Sequence, residues 1–230
     1  DTLATVVPQL MVKNEVDKPR TLILKGWVGT VSFEKKVDLL PLEDKAVIFQ
    51  PEEFQQLKHR KMHLWWPNGY GAPYLYHSGY AISSIDGVKL DPVKNDTLLY
   101  QAGIREVTYK DMDTALKIYV NGKRIDPLGG NWGFSEINLN YRGREYDAAV
   151  RYHKEMNYNM IRDWVGQIGD EEFYRACDKY GMMVWQDFWL ANPWDGPDPY
   201  NDKMFLDNAK DYILRIRNHP CLSIYVERNE

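Results

Sequence analysis

The 230-residue sequence predicts a two-part protein, an antiparallel β-sandwich followed by half of a (β/α) barrel. Three observations carry this expectation. Residues 1 to about 108 alternate apolar and polar side chains in short runs separated by turn residues. Beyond that point helical stripes alternate with short apolar runs. Helical crossovers between such runs require parallel strands and right-handed connections.

The strands of the first part follow in order. "TLILKGWVGTVSFEKKVDLL" holds two alternating runs, and "KAVIFQP", "KMHLWWP" and "PYLYHSGYAIS" follow. Pro51, Pro67-Asn68-Gly69 and Asp86-Gly87 separate them. Asp86-Gly87 is a type I′ hairpin signal. About seven strands fit, as in a sandwich. Trp65 and Trp66 are expected in its core.

In the second part, "NGK" at 121–123 marks a hairpin between "ALKIYV" and "RIDPLGG". In "REYDAAVRYHKEMNY", Tyr146, Ala149, Val150, His153 and Met156 share one helical face. The strand "NMIRDW" comes next. Asp170 is placed to cap a helix carrying Phe173, Cys177 and Tyr180, which Gly181 closes. "MMVWQDF" is a strand. Phe205, Ala209, Tyr212, Ile213 and Ile216 stripe a third helix that ends before His219-Pro220, and "CLSIYV" is the last strand. The order β-α-β-α-β-α-β is half of an eight-stranded barrel. A flavodoxin-like open sheet is the rival. It would want a phosphate-binding loop after the first strand, where "GGNWGFSEINLNYRGRE" stands instead.

Composition narrows the partners. Apolar residues make up 44% and aromatic residues 13%, enough for a substantial core, and the net charge of −4 comes from intermixed signs. With no basic stripe, nucleic acid is not expected. No run of eighteen apolar residues exists, so no membrane span is expected. Two cysteines and five histidines fall in no metal-ligand spacing, so neither a metal nor a cofactor is expected. The chain starts on Asp rather than Met, which leaves room for a leader or upstream domains. The compartment stays open among secreted, periplasmic and lysosome- or vacuole-like ones. Asn95-Asp96-Thr97 matches a glycosylation acceptor, a triplet common by chance.

Barrel active sites form at the C-terminal ends of the strands. Those ends are Asn131-Trp132, then Arg162-Asp163-Trp164, then Trp185 to Trp189, then Arg228-Asn229-Glu230. Tryptophans, amides, an arginine and carboxylates suit a sugar, whose C–H face stacks on aromatic rings while its hydroxyls bond polar groups. A glycosidase also needs a carboxylic acid to protonate the leaving oxygen, and Glu230 is placed to be that acid. Structural readings stand beside these: Trp132 as a plug, Arg162 and Asp187 as ion-pair partners, Cys177 as core.

The sequence resembles glycoside hydrolase family 2. The matching pieces are "LWWPNGYGAPYLY", "GIREV", "YVNGKRI", "GGNW", "NMIRDW", "EFYRACDKYGMMVWQDF", "RNHP" and "RNE". "VWQDF" and "GGNW" resemble the β-mannosidase, endo-β-mannosidase and exo-β-glucosaminidase branch more than the β-galactosidases. The resemblance implies that residues 1–108 are an immunoglobulin-like β-sandwich. It implies that 109–230 are the first four βα units of the (β/α)8 catalytic barrel. It makes Glu230 the acid/base, Asn229 a ligand of the sugar 2-hydroxyl and Arg162 a neighbour of the nucleophile. Trp164 and Trp132 match positions around the first sugar subsite, and Asp187, read from the end of strand three, is expected to bind substrate. Residue 227 is Glu where relatives often carry Gly, and it either crowds the site or faces outward.

The family's nucleophile is a second Glu at the end of strand seven. The chain is therefore expected to be an inactive fragment of a retaining glycosidase. Its expected partners are an oligosaccharide substrate, the remainder of the barrel and an upstream sugar-binding domain. Unpaired edges on strands one and four favour self-association. The alternative is a non-catalytic carbohydrate-binding or assembly module.

Overall fold

The computed structural model describes residues 2–90, 97–132, 142–192, 194, 196 and 198–229. Glu230 and, from the acceptor triplet, Asn95 and Asp96 lie outside the described residues. The chain forms two compact units, one from Asp1–His63 and Tyr76–Ala102, the other from Leu64–Leu75 and Gly103–Glu230. Residues 64–75 and 103–108, expected in the first part, thus lie with the second. Trp65 is fully buried in the second unit's core, and its Nε1 donates to the Asp178 carbonyl at 2.8 Å. A contact spanning 113 positions outranks the local alternation that assigned the segment to the sandwich.

The first unit is antiparallel. Its strands are β1 (Thr2–Ala4), β2 (Gln9–Lys13), β3 (Arg20–Val28), β4 (Val31–Leu39), β5 (Asp44–Ile48), β6 (Arg60–Met62), β7 (Tyr76–Ile85), β8 (Val88–Lys89) and β9 (Thr97–Ala102). One sheet runs β4-β3-β7-β8 with β9 also on β7, and β2-β5 and β1-β6 are separate pairs. Alternation puts Leu22, Leu24 and Val28 of β3 and Phe33, Val37 and Leu39 of β4 into the core. Each such side chain contributes about 1.5–3 kcal/mol of burial. The β5 end joins this core through Phe49, 4.6 Å from the Phe33 ring, and Tyr80 lies 6.3 Å from Phe49. At the β7–β8 turn Asp86 and Gly87 have φ of 49° and 80°, as a type I′ hairpin requires.

The second unit begins with β10 (Val107–Lys110), β11 (Lys117–Val120) and β12 (Lys123–Ile125), an antiparallel sheet. Asn121 and Gly122, at φ 51° and 76°, make the expected β11–β12 turn. Then come β13 (Gly129–Trp132), α1 (Arg144–Glu155), β14 (Met160–Asp163), α2 (Glu171–Tyr180), β15 (Met183–Asp187), α3 (Asp202–Ile216) and β16 (Leu222–Val226). The four strands pair in parallel in the order β13-β14-β15-β16. The order follows the chain without reversal, whereas the flavodoxin-like rival reverses after its first strand. At Gly129 a Cβ would lie 1.7 Å from the Met160 carbonyl oxygen, so only glycine lets β13 approach β14.

The helices bury the expected stripes, with two corrections. Met156 lies past the end of α1 and is exposed. Asp170 sits at the N-cap of α2 but its side chain does not cap; its carboxylate takes Arg142 and the Tyr146 hydroxyl instead. Asn201 caps α3, accepting the Met204 N–H at 3.0 Å. Cys177 and Cys221 are fully buried and unpaired, and burial pushes both thiols well up. Arg105 donates to the Pro220 and Leu222 carbonyls and Tyr109 to that of Ser223, so β10 and the residues before it fasten β16. Among the described residues no helix is long and apolar enough to cross a membrane.

Candidate active site

Successive side chains of a strand point to opposite faces, so Arg162 and Asp163 of β14 part company. Register pairs Arg162 with Asn131 and Trp185, and Asp163 with Trp132 and Gln186. The ends of the parallel strands therefore carry two different polar groups, one on each face.

On the first face Arg162 grips Asp187. Its Nε lies 3.1 and 3.0 Å from the two carboxylate oxygens, and its Nη2 donates to Oδ2 at 2.7 Å. This is a forked, charge-assisted pair. The same Nη2 donates to Asn229 Oδ1 at 2.9 Å. Asn229 is fixed from behind by its N–H, shared between the Leu190 and Ala191 carbonyls at 3.1 Å each. One guanidinium thus joins the ends of β14 and β15 to the residue three positions past β16. It also lies 5.0 Å over the Trp185 ring. Asp187 is fully buried and the Arg162 side chain 20% exposed, so each is the other's main compensation for lost water.

Asp187 also accepts the Val165 N–H at 3.1 Å. Val165 sits at φ 48°, a left-handed conformation that β-branched residues avoid and that costs on the order of 1–3 kcal/mol. Gly166 follows at φ 61°, where a Cβ would lie 2.9 Å from the Asp187 carbonyl oxygen and from the Trp189 ring. The turn is held in this shape by the carboxylate it surrounds.

On the helix-covered face Asp163 accepts Gln186 Nε2 at 2.6 Å and the Ile168 N–H at 3.0 Å. Gln186 Oε1 accepts the Tyr174 hydroxyl at 2.6 Å, and Tyr212 donates to the Ile168 carbonyl at 3.0 Å. The Tyr174 and Tyr212 oxygens are also neighbours, and with one proton each the two hydroxyls satisfy Gln186 and Ile168 rather than each other. Burial pushes the Asp163 carboxyl up to about 7, against the hydrogen bonds from Gln186 and Ile168 and with the Asp187 charge adding to the rise.

The structure thus brings together Arg162, Asp187 and Asn229 among the expected site residues. Trp132 goes elsewhere. It is buried, its ring stacked on the His153 imidazole at 5.0 Å and edge-on to Phe173 at 5.6 Å. Trp164 opens the turn before Val165, half-buried. Glu227 is exposed, and Glu230, the expected acid, lies outside the described residues. Sequence reading named Asp163, Trp185 and Gln186 only as strand-end residues, and it missed Val165 and the joining of Asp163 and Gln186 to Tyr174 and Tyr212. Strand alternation in "RDW" and "WQD" was the available signal. Among the described residues no group of three or more His, Cys, Asp or Glu side chains could hold a metal ion.

No family model matches the chain. It is 36% identical over 181 residues to a mannosylglycoprotein endo-β-mannosidase of Lilium longiflorum, covering 74% of this chain and 18% of that protein. It is 30% identical over 230 residues to an exo-β-D-glucosaminidase of Streptomyces avermitilis, covering 95% of this chain and 25% of that protein. The chain therefore spans a quarter or less of the length of these relatives. In fold it is similar to a β-D-mannosidase from Dictyoglomus thermophilum, with a TM-score of 0.75, 23% identity and coverage of 99% of this chain and 29% of the other. The chain belongs to glycoside hydrolase family 2, on the branch of the β-mannosidases and exo-β-glucosaminidases.

Proposed function

We propose that the chain is a segment of a retaining glycosidase that cleaves β-linked sugars. A β-mannoside or a β-glucosaminide is preferred as substrate over a β-galactoside. In this reading the first unit is the immunoglobulin-like sandwich. Strands β13 to β16 with their helices are the first four βα units of a (β/α)8 barrel. An upstream sugar-binding domain and the remainder of the barrel are its partners, and exposed strand edges favour self-association of the isolated chain.

The observation that carries the reading is the fork of Arg162 on Asp187 and Asn229. Asn229 spends its side-chain oxygen on Arg162, so its amide N–H groups are the donors left for a sugar hydroxyl. Asp187 holds the guanidinium in place. Glu230, the next residue, is the acid/base: it protonates the leaving oxygen, then takes a proton from the attacking water. The nucleophilic carboxylate comes from sequence outside these 230 residues. A retaining pair stands about 5–5.5 Å apart. Trp164 belongs to the surroundings of the first subsite, while Trp132 supports the strand end from the opposite face.

The test is Glu230→Gln in the complete polypeptide. Glutamine keeps the shape and loses the proton. Hydrolysis of unactivated disaccharides should fall by roughly 10²–10⁴-fold. Glycosylation by activated aryl glycosides, whose leaving group needs no proton, should fall far less. Equal losses on both substrates, or none, would remove the acid/base assignment.

A further inference from the structure

A second polar pocket lies on the helix-covered side of the parallel sheet, lined by Trp189, Asn208, Asp211, Tyr212 and Arg215. Its volume is about 270 Å³, just under the range of about 300–1,000 Å³ usual for small-molecule sites. That is room for one ring. Residues 208, 211, 212 and 215 recur at helical spacing, so α3 presents them together.

Trp189, two residues past the end of β15, is the aromatic member. Its ring meets Phe205 and Tyr212 edge-on, at 5.9 and 5.3 Å, yet 40% of the residue stays exposed. Arg215 is held in place on the other side. Its Nη1 donates to the Gly169 carbonyl at 2.6 Å and its guanidinium lies 5.0 Å over Tyr212, which leaves further N–H groups to donate. Asn208 and Asp211 are exposed, and their side chains have no hydrogen-bond or ion-pair partner among the described residues. An apolar ring surface beside an amide, a carboxylate and a guanidinium matches a pyranose, which offers one C–H face and a rim of hydroxyls.

We propose that this pocket is a second carbohydrate subsite that holds a single pyranose ring, separate from the Arg162–Asp187–Asn229 fork. It takes its sugar class from the function proposed above. Its occupant also touches the catalytic rim indirectly: the Trp189 ring lies against Gly166, next to the Val165 N–H that donates to Asp187.

The experiment is an NMR titration of the 230-residue chain carrying ¹⁵N-tryptophan, with methyl β-D-mannopyranoside and methyl β-D-glucosaminide as probes. Trp189→Phe assigns its indole resonance. That resonance should shift and saturate. Asp211→Ala, a change on the exposed face of α3 that leaves the core intact, should weaken the titration at least tenfold. Asn229→Ala should leave it unchanged. A silent Trp189 resonance, or equal affinity in Asp211→Ala, overturns the subsite. Binding lost in Asn229→Ala and kept in Asp211→Ala places the sugar at the fork, overturning the subsite and leaving the proposed function standing. Failure of that function would instead appear as undiminished hydrolysis by Glu230→Gln in the complete polypeptide, which this titration does not read.

Discussion

The two units treat charge in opposite ways. In the first, ion pairs such as Lys35–Glu53, at 2.7 Å with side chains 32% and 52% exposed, stand in water, and the buried residues are almost all apolar. In the second, Asp163, Asp178, Gln186 and Asp187 are buried, each satisfied by named partners. Asp178, for example, holds the His219 ring at 2.6 Å and the Cys221 N–H at 2.9 Å. Burial alone would lower the His219 pKa, but the Asp178 hydrogen bond and the charges of Asp178 and Glu171 outweigh it and raise it. Buried charge is weak as a source of stability, so the placing of Asp163 and Asp187 at neighbouring strand ends speaks for a use other than holding the fold.

The sharpest way to break this contrast is to remove Arg162. Arg162→Met should destabilise the second unit by about 3–5 kcal/mol, because Asp187 is left buried without its partner. Hydrogen exchange in β14 to β16 reads this locally. Adding Asp187→Leu should restore most of the loss, since two apolar groups leave no orphaned charge. A double variant as unstable as the single one would mean that the pair contributes through packing and not through charge.

The next effect is smaller and depends on pH. The folded pKa of Asp163, about 7, lies above its unfolded value near 3.9. The folded state therefore holds the extra proton between those two values. Stability from this group is fully present below about pH 4 and is lost as pH rises toward 7. Asp163→Asn removes the titration. Wild type should gain on the variant by about 2 kcal/mol between pH 7 and pH 5, measured as the difference in urea unfolding. A constant difference across that range would place the Asp163 pKa near its ordinary value.

The sequence made much of the second unit legible and less of its site. Helical stripes and the Asn121-Gly122 turn were readable because their signals are local. The unit boundary was not. Trp65 joins its unit through Asp178, 113 positions away, and no local period records such a contact. Strand β9 at Thr97–Ala102 also went unread, its alternation being poor. At the site, strand ends named Arg162, Asp187 and Asn229, which the structure brings together, but not the faces: Trp132 was grouped with Arg162 although register pairs it with Asp163. Counting alternate residues back from Arg162 and Asp187 would have separated the fork from the network behind it. Val165 at positive φ carries no sequence signal, since valine normally argues against that conformation.

The smallest effect tests the other side of the contrast. Glu53 bonds Lys35 Nζ on the surface of the first unit, where both groups keep much of their water. Glu53→Ala loses a Coulomb attraction already weakened by solvent, and frees two long side chains to regain rotamer entropy. The net change should stay below about 1 kcal/mol and shrink further at high salt, where the Debye length falls to about 3 Å at 1 M. Lys35 is left exposed enough to be rehydrated, unlike Asp187 after loss of Arg162. Thermal unfolding of the variant at 0.02 M and 1 M salt measures both points. A loss of several kcal/mol, or one indifferent to salt, would mean that the first unit also relies on desolvated charge, and the division between a unit that only folds and a unit that also positions polar groups would no longer hold.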